Sequence, residues 1–121
     1  MPVIPSAALS FTQLPGRESA DALRDGPDVG ASVRVVRIAP GPRTPHRHPH
    51  SGEVVSVVAG TGIAWEDGQR TAVTAGDLIA IPRGVPHATV AGEHGLVLVC
   101  FFPHPDLAGN IEELDAPRIA G

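Results

Sequence analysis

The chain has no lysine and no tyrosine, and only one cysteine and four aromatic residues among its 121 positions. Without lysine there is no Schiff-base amine and no phosphate-loop lysine. Without tyrosine there is no phenolic acid or base. Cys100 has no second cysteine to pair with, which excludes a disulfide within the chain. It lies in the apolar run Leu96 to Phe102, so a buried and inert thiol is expected. No serine falls within a Gly-x-Ser-x-Gly turn, which argues against a serine hydrolase of that kind.

Basic charge is also in short supply. Nine arginines stand against 13 acidic residues, for a formal charge of −4, and no basic face is on offer to nucleic acid. No apolar run approaches the length that spans a bilayer. The first residues show no basic stretch followed by an apolar core, as a signal peptide would. The expectation is a soluble cytoplasmic protein that binds neither nucleic acid nor membrane.

What is present is glycine, proline, valine and histidine. The length fits one domain, residues 1–121, with room for a proper core. Fourteen glycines and 13 prolines interrupt short apolar runs at close intervals, the pattern of an all-β sandwich or barrel. The expected strands are Ser32 to Ile38, Glu53 to Val58, Thr61 to Trp65, Thr71 to Val73, Asp77 to Ile81, His87 to Val90 and Leu96 to Phe102. Their valine and isoleucine content suits strands. Asp67-Gly68 predicts a hairpin, and Ala59 to Gly62, Pro82 to Gly84 and Ala91 to Gly95 read as further turns. Gly16 to Asp25 and Pro105 to Asp115 are each expected to carry at most a short helical turn. The Pro-rich arm from Pro2 to Pro15 reads either as an added strand or as a frayed terminus.

Chemistry concentrates in Pro45-His46-Arg47-His48-Pro49-His50-Ser51-Gly52-Glu53. Residues i and i+2 of a strand face the same way, so His46 and His48 can project together into a barrel. Two imidazoles on one face make half a metal site. Glu53 opens an apolar strand, where an inward carboxylate is costly unless it meets a cation. The plainer reading of such a run is a solvated loop that captures metal adventitiously. A second element weighs against it: Gly76-Asp77-Leu78-Ile79-Ala80-Ile81-Pro82-Arg83-Gly84-Val85-Pro86-His87.

The first element reads His46-x-His48, four residues, Glu53, six residues, Gly60. The second reads Gly76, five residues, Pro82-x-Gly84, two residues, His87. Together they resemble the two motifs of the cupin superfamily, the first over 41–60 and the second over 76–91. Two departures stand out. One residue is missing between Gly41 and His46, and Ala91, separated from His87 by three residues, occupies the place of the usual Asn. The resemblance implies an antiparallel jelly-roll β-barrel (a double-stranded β-helix) with one divalent transition metal held by His46, His48, Glu53 and His87. Three imidazoles and a carboxylate suit Fe first, with Zn, Ni, Mn or Cu also possible, and disfavour Ca or Mg. An octahedral metal so held keeps two positions open for a substrate.

The remaining candidates follow from proximity. His50 shares the parity of His46 and His48, and with Glu53 it is the nearest candidate for a catalytic base, or it lies at the pocket rim. Arg34, Arg37 and Arg47 are candidates for binding a substrate carboxylate, with Arg37 and Arg47 ranked first because they are near the site in sequence. Trp65 and Phe102 are candidates for lining a ligand cavity, although core packing is the favoured role for both. His104 is a weaker acid or base candidate, and His94 is expected to be solvated. The functional expectation is a metal-dependent enzyme acting on a small organic molecule, in the first instance an Fe(II)-type oxygenase. The alternatives are a non-redox metal-dependent cyclase, isomerase or lyase, and a non-catalytic binding module. A homodimer is expected, joined through outer strands and apolar terminal residues such as Val3-Ile4 and Leu9 to Phe11.

Overall fold

Alternating inward and outward side chains set the architecture. The computed structural model describes every residue from Met1 to Gly121. It contains β1 (Thr12–Leu14), β2 (Arg17–Asp21), β3 (Ser32–Ile38), β4 (His46–Arg47), β5 (Glu53–Glu66), β6 (Gln69–Thr74), β7 (Leu78–Ile81), β8 (His87–Phe102) and β9 (Glu112–Glu113), with one 3-10 turn at Ser6–Ala8. No helix is long and apolar enough to cross a membrane. All strand pairs are antiparallel, and the sheet curls on itself as a jelly-roll barrel.

Two long strands hold the barrel together. β8 pairs with β3 from Ser32↔Phe102 to Ile38↔Leu96 along one edge. Along its other edge it pairs with β5 from Val54↔Phe101 to Glu66↔His87. β5 in turn carries β7 against its first half and β6 against its second. Each long strand therefore joins two runs that the sequence reads as separate strands. The expected turns at Ala59 to Gly62 and Ala91 to Gly95 are not turns but the bent middles of β5 and β8, with bulges between Val57 and Ala59 and between Gly60 and Gly62. A glycine that permits a turn equally permits a bulge or a close crossing of strands. Here crossing decides: a Cβ on Gly60 would sit 2.0 Å from the Gly95 carbonyl oxygen, and one on Gly62 would sit 2.3 Å from that of Val90.

The expected hairpin at Asp67-Gly68 is present, with Glu66 paired to Gln69 and both turn residues at positive φ (47° and 83°). Gly16 to Asp25 departs from expectation: it is β2, paired with β3, followed by hydrogen-bonded turns. The polar run Arg17-Glu18-Ser19 conceals a strand because Arg17 and Ser19 themselves point inward and are buried. The segment Pro105 to Asp115 also lacks a helix; it forms turns and β9, which pairs with β4. Part of the N-terminal arm is an added strand, β1, paired with β2.

The barrel interior holds one cluster of 12 buried residues, centred on Val36, Val55, Leu96, Leu98 and Phe102. A smaller cluster of Ala88, Val90 and Ile119 packs with Trp65 on the other face of β8. In β5 the buried positions are Glu53, Val55 and Val57, while Val54 and Val58 face out. Glu53 thus shares the inward face of the apolar core, and His87 and Thr89 face the same interior from β8.

Candidate metal centre

His46 and His87 are direct partners across β4 and β8, which places their rings 4.4 Å apart. His48, two residues on, reaches the same interior with its ring 5.2 Å from that of His46 and 5.1 Å from that of His87. All three side chains are buried, and each offers one ring nitrogen to a group that lies within 4.8 Å. Glu53 closes the fourth side: its Oε1 is 3.1 Å from His48 Nε2 and 3.2 Å from His87 Nε2.

Two backbone carbonyls fix which nitrogens face the centre. His48 Nδ1 donates to the Asn110 carbonyl at 2.7 Å, and His87 Nδ1 donates to the Val85 carbonyl at 2.8 Å. A carbonyl only accepts, so each Nδ1 carries a proton, and in the neutral ring the bare nitrogen is the Nε2 that faces inward. His48 Nε2, His87 Nε2 and Glu53 Oε1 are buried with no hydrogen-bond partner. Lone pairs therefore converge on one point, an arrangement that a cation satisfies and an empty core does not.

Burial works against charge on Glu53, and its carboxyl is held down, at about 2, only where the His48 and His87 nitrogens offer it a donating or positive partner. With both Nδ1 protons already committed, those rings can donate through Nε2 only as imidazolium; a divalent cation offers the carboxylate the same partner without a proton. Burial, then the neighbouring His87, Arg17, Arg43 and His48, push His46 well below the ordinary imidazole range and keep it a neutral ligand. The donor set thus suits a transition metal, and three histidines stand ready to hold one.

The cavity around these groups is small, about 30 Å³, with Val36, Val55, Ile81, Leu98 and Phe102 among its apolar walls. Phe102 lines the cavity, with its ring 4.6 Å from that of His48. Arg34 lines it as well, whereas the other candidates are not brought to this cavity. Arg37 faces outward and lies over the Phe11 ring at 3.8 Å. Arg47 pairs with Glu112 across β4 and β9 at 3.0 Å. Trp65 packs on the outer cluster. His50 is exposed and stacks on His104, ring centroids 5.5 Å apart, outside the cavity lining. His94 is solvated, as expected, beside Glu93. Cys100 is buried; burial and then Glu53 raise its thiol well above the ordinary range, so it stays protonated and inert.

Three residues of the site, Asn110, Arg17 and Arg43, escape the sequence reading. Asn110 supplies the carbonyl that orients His48. Its side chain also accepts from the His50 amide and donates to Ser51 Oγ, both at 2.8 Å. Arg17 and Arg43 line the cavity beside Arg34. Arg43 stands three residues before His46, inside the first motif, and that position was a usable signal. Asn110 carried none.

The family model for the cupin domain matches residues 34–102, which include both motifs and all four convergent side chains. The chain belongs to the cupin family. Solved structures agree on the fold. Pac13 of Streptomyces, a nucleoside dehydratase solved with uridine, is 15% identical with a TM-score of 0.75; the alignment covers 94% of this cupin and 90% of Pac13. Oxalate decarboxylase of Bacillus subtilis is 21% identical with a TM-score of 0.76, over 89% of this cupin but 30% of the longer enzyme. KdgF from Halomonas sp. is 20% identical with a TM-score of 0.72, over 88% of this cupin and 96% of KdgF. No curated protein sequence matches this cupin.

Proposed function

We propose that this cupin is an enzyme of small-molecule chemistry whose single divalent transition metal is held by His46, His48, Glu53 and His87. The observation that carries this is the convergence of His48 Nε2, His87 Nε2 and Glu53 Oε1 in a buried pocket, with no hydrogen-bond partner for any of them. Bound there, such a metal supplies Lewis acidity and, if it is iron, one-electron chemistry. The protein's own part is to present three neutral imidazoles and one carboxylate, to exclude bulk water with Phe102 and the aliphatic walls, and to leave one side of the site open to a ligand. The first reading is an Fe(II)-type oxygenase. The second is a non-redox cyclase, isomerase or lyase, and the likeness to a nucleoside dehydratase and an oxalate decarboxylase favours it. Metal binding without turnover would leave a binding module.

Elemental analysis of protein purified without oxygen, beside His46→Ala and His87→Ala, tests the reading. One metal per chain is expected in the native protein and none in either variant. Iron selects the oxygenase, and zinc or nickel the non-redox enzyme. A native chain that stays metal-free after reconstitution sinks both.

We further propose that the chain pairs with a second copy through its outer face. Val54 and Phe101 are partners across β5 and β8 and are both exposed on that face, and Val58 and Leu78 are exposed nearby on β5 and β7. Light scattering on a sizing column should give twice the chain mass for the native protein and a shift toward one for Phe101→Glu. A native monomer refutes the pairing.

A further inference from the structure

Arg43 is held in an unusual way for a buried cation. It is 3% exposed, and its Nη1 donates to the Thr89 carbonyl at 3.0 Å and to Thr89 Oγ1 at 3.3 Å. Its other edge, Nε and Nη2, is buried with no partner at all. These two N–H groups lie side by side on one edge of the guanidinium, the fork that receives both oxygens of a carboxylate. Arg34 lines the same cavity, and its Nε is likewise buried and unpartnered. A third arginine, Arg17, is already matched by Glu113 at 2.8 Å. Neither Arg34 nor Arg43 forms an ion pair with any carboxylate.

Burying a guanidinium without a partner is expensive, and folded proteins rarely leave such donors empty without a function. The placement is also built. Gly16 in the β1–β2 turn leaves room for the side chain: a Cβ there would sit 3.2 Å from Arg43 Cγ and Nε. The C-terminal segment clamps the backbone, with Arg43 N donating to the Ile119 carbonyl at 2.9 Å and Ile119 N donating back at 2.6 Å. Burial, and then Arg17, lower the Arg43 guanidinium to about 10, so it is still a cation at neutral pH. Glu53 is the one acidic side chain lining the cavity, and it faces the histidines at 3.1 and 3.2 Å. Asp21 and Glu113 are the other acids felt by Arg34 and Arg43. Two cations are thus left over, and a divalent metal would add to them.

We propose that the Nε/Nη2 edge of Arg43, with Arg34 beside it, receives the carboxylate of a small organic acid in the same cavity as the histidines. This rests on the metal-dependent reading for its catalytic meaning and names the substrate class of that site. The planar fork and the cavity of about 30 Å³ fit a carboxylate head better than a bulkier tetrahedral oxyanion.

The test is a titration of the full chain, reconstituted with zinc and separately stripped of metal, with acetate and with neutral acetamide, read by broadening of the probe's methyl NMR signal. Acetate should bind and acetamide should not. Arg43→Gln should weaken acetate binding at least about tenfold, the loss expected for hydrogen bonds to a charged group. Arg43→Lys should not restore it, because a point charge lacks the fork. Equal binding of the two probes, unchanged acetate binding by Arg43→Gln, or tighter binding of inorganic phosphate than of acetate overturns the proposal. If Arg43→Gln does not fold, Arg34→Gln decides: weakened acetate binding supports the proposal, and no change overturns it. Zinc content is measured on the same samples. Zinc bound without acetate binding ends this proposal and spares the metal reading, whereas acetate bound through Arg43 in a chain that never holds metal does the reverse.

Discussion

Glu53→Gln should weaken metal binding at least about hundredfold while leaving the metal-free protein as stable as the parent, or more so. Changing a residue that merely supports a ligand typically costs 10–100-fold in affinity, about the floor for losing a ligand itself. The stability half of the expectation comes from hydrogen-bond bookkeeping. In the metal-free site Glu53 Oε1 lies 3.1 and 3.2 Å from two ring nitrogens that are acceptors, because their Nδ1 protons go to Asn110 and Val85. Three buried acceptors face one another. A glutamine amide places an N–H donor there with almost no change in shape. A metal titration and urea unfolding of metal-stripped protein give the two numbers. If metal-stripped Glu53→Gln is less stable by more than about 1 kcal/mol, a typical net hydrogen bond, the carboxylate has a partner in the empty site, and the account of bare nitrogens is wrong. For the parent, saturating metal at 100 times its Kd should add about 2.7 kcal/mol of stability, visible as a raised unfolding midpoint.

Gly60→Ala should be the most damaging single methyl in the barrel, at about 3 kcal/mol or more. Two costs add at this position. The backbone φ is +88°, and the new Cβ would lie 2.0 Å from the Gly95 carbonyl oxygen, a rigid atom of the neighbouring strand. Gly68→Ala separates the two. Its φ is +83° but nothing lies within 4 Å of the new Cβ, so only the backbone term remains, about 1–2 kcal/mol. Denaturant unfolding of both variants checks the difference. Equal losses would mean that the strands part freely at Gly60, and that the close crossing does not hold the bend.

Those two sites show what the sequence reveals and what it hides. The histidine cluster was legible because strand periodicity and motif spacing both act over a few residues: His46 and His48 share a face, and His87 follows a Pro-Gly turn. Glycine was legible as an interruption but not as a kind of interruption. Gly60 and Gly95 look like hairpin turns, and only the register between β5 and β8 shows that each strand runs through. The pocket's cations were only partly legible, for a related reason: Arg34 ranked below Arg37 and Arg47 as a candidate, and Arg17 and Arg43 were not candidates. Arg37 and Arg47 are close to the site along the chain, yet β-strand alternation turns Arg37 outward, and Glu112 on β9 claims Arg47. Arg17 and Arg34 reach the cavity from strands whose inward faces depend on the sheet order β2-β3-β8. Asn110 could not be read at all, because its role is a carbonyl and every residue has one.

The fastening of the C-terminal segment also bears on the order of events in the cell. His46, His48, Glu53 and His87 leave the ribosome well before Asn110 orients His48 and before Ile119 clamps Arg43. While the chain is still growing, the ligands can meet a metal only in an unfinished pocket whose His48 ring is free to rotate. The site with His48 oriented and Arg43 clamped therefore exists only once the chain has grown past residue 119.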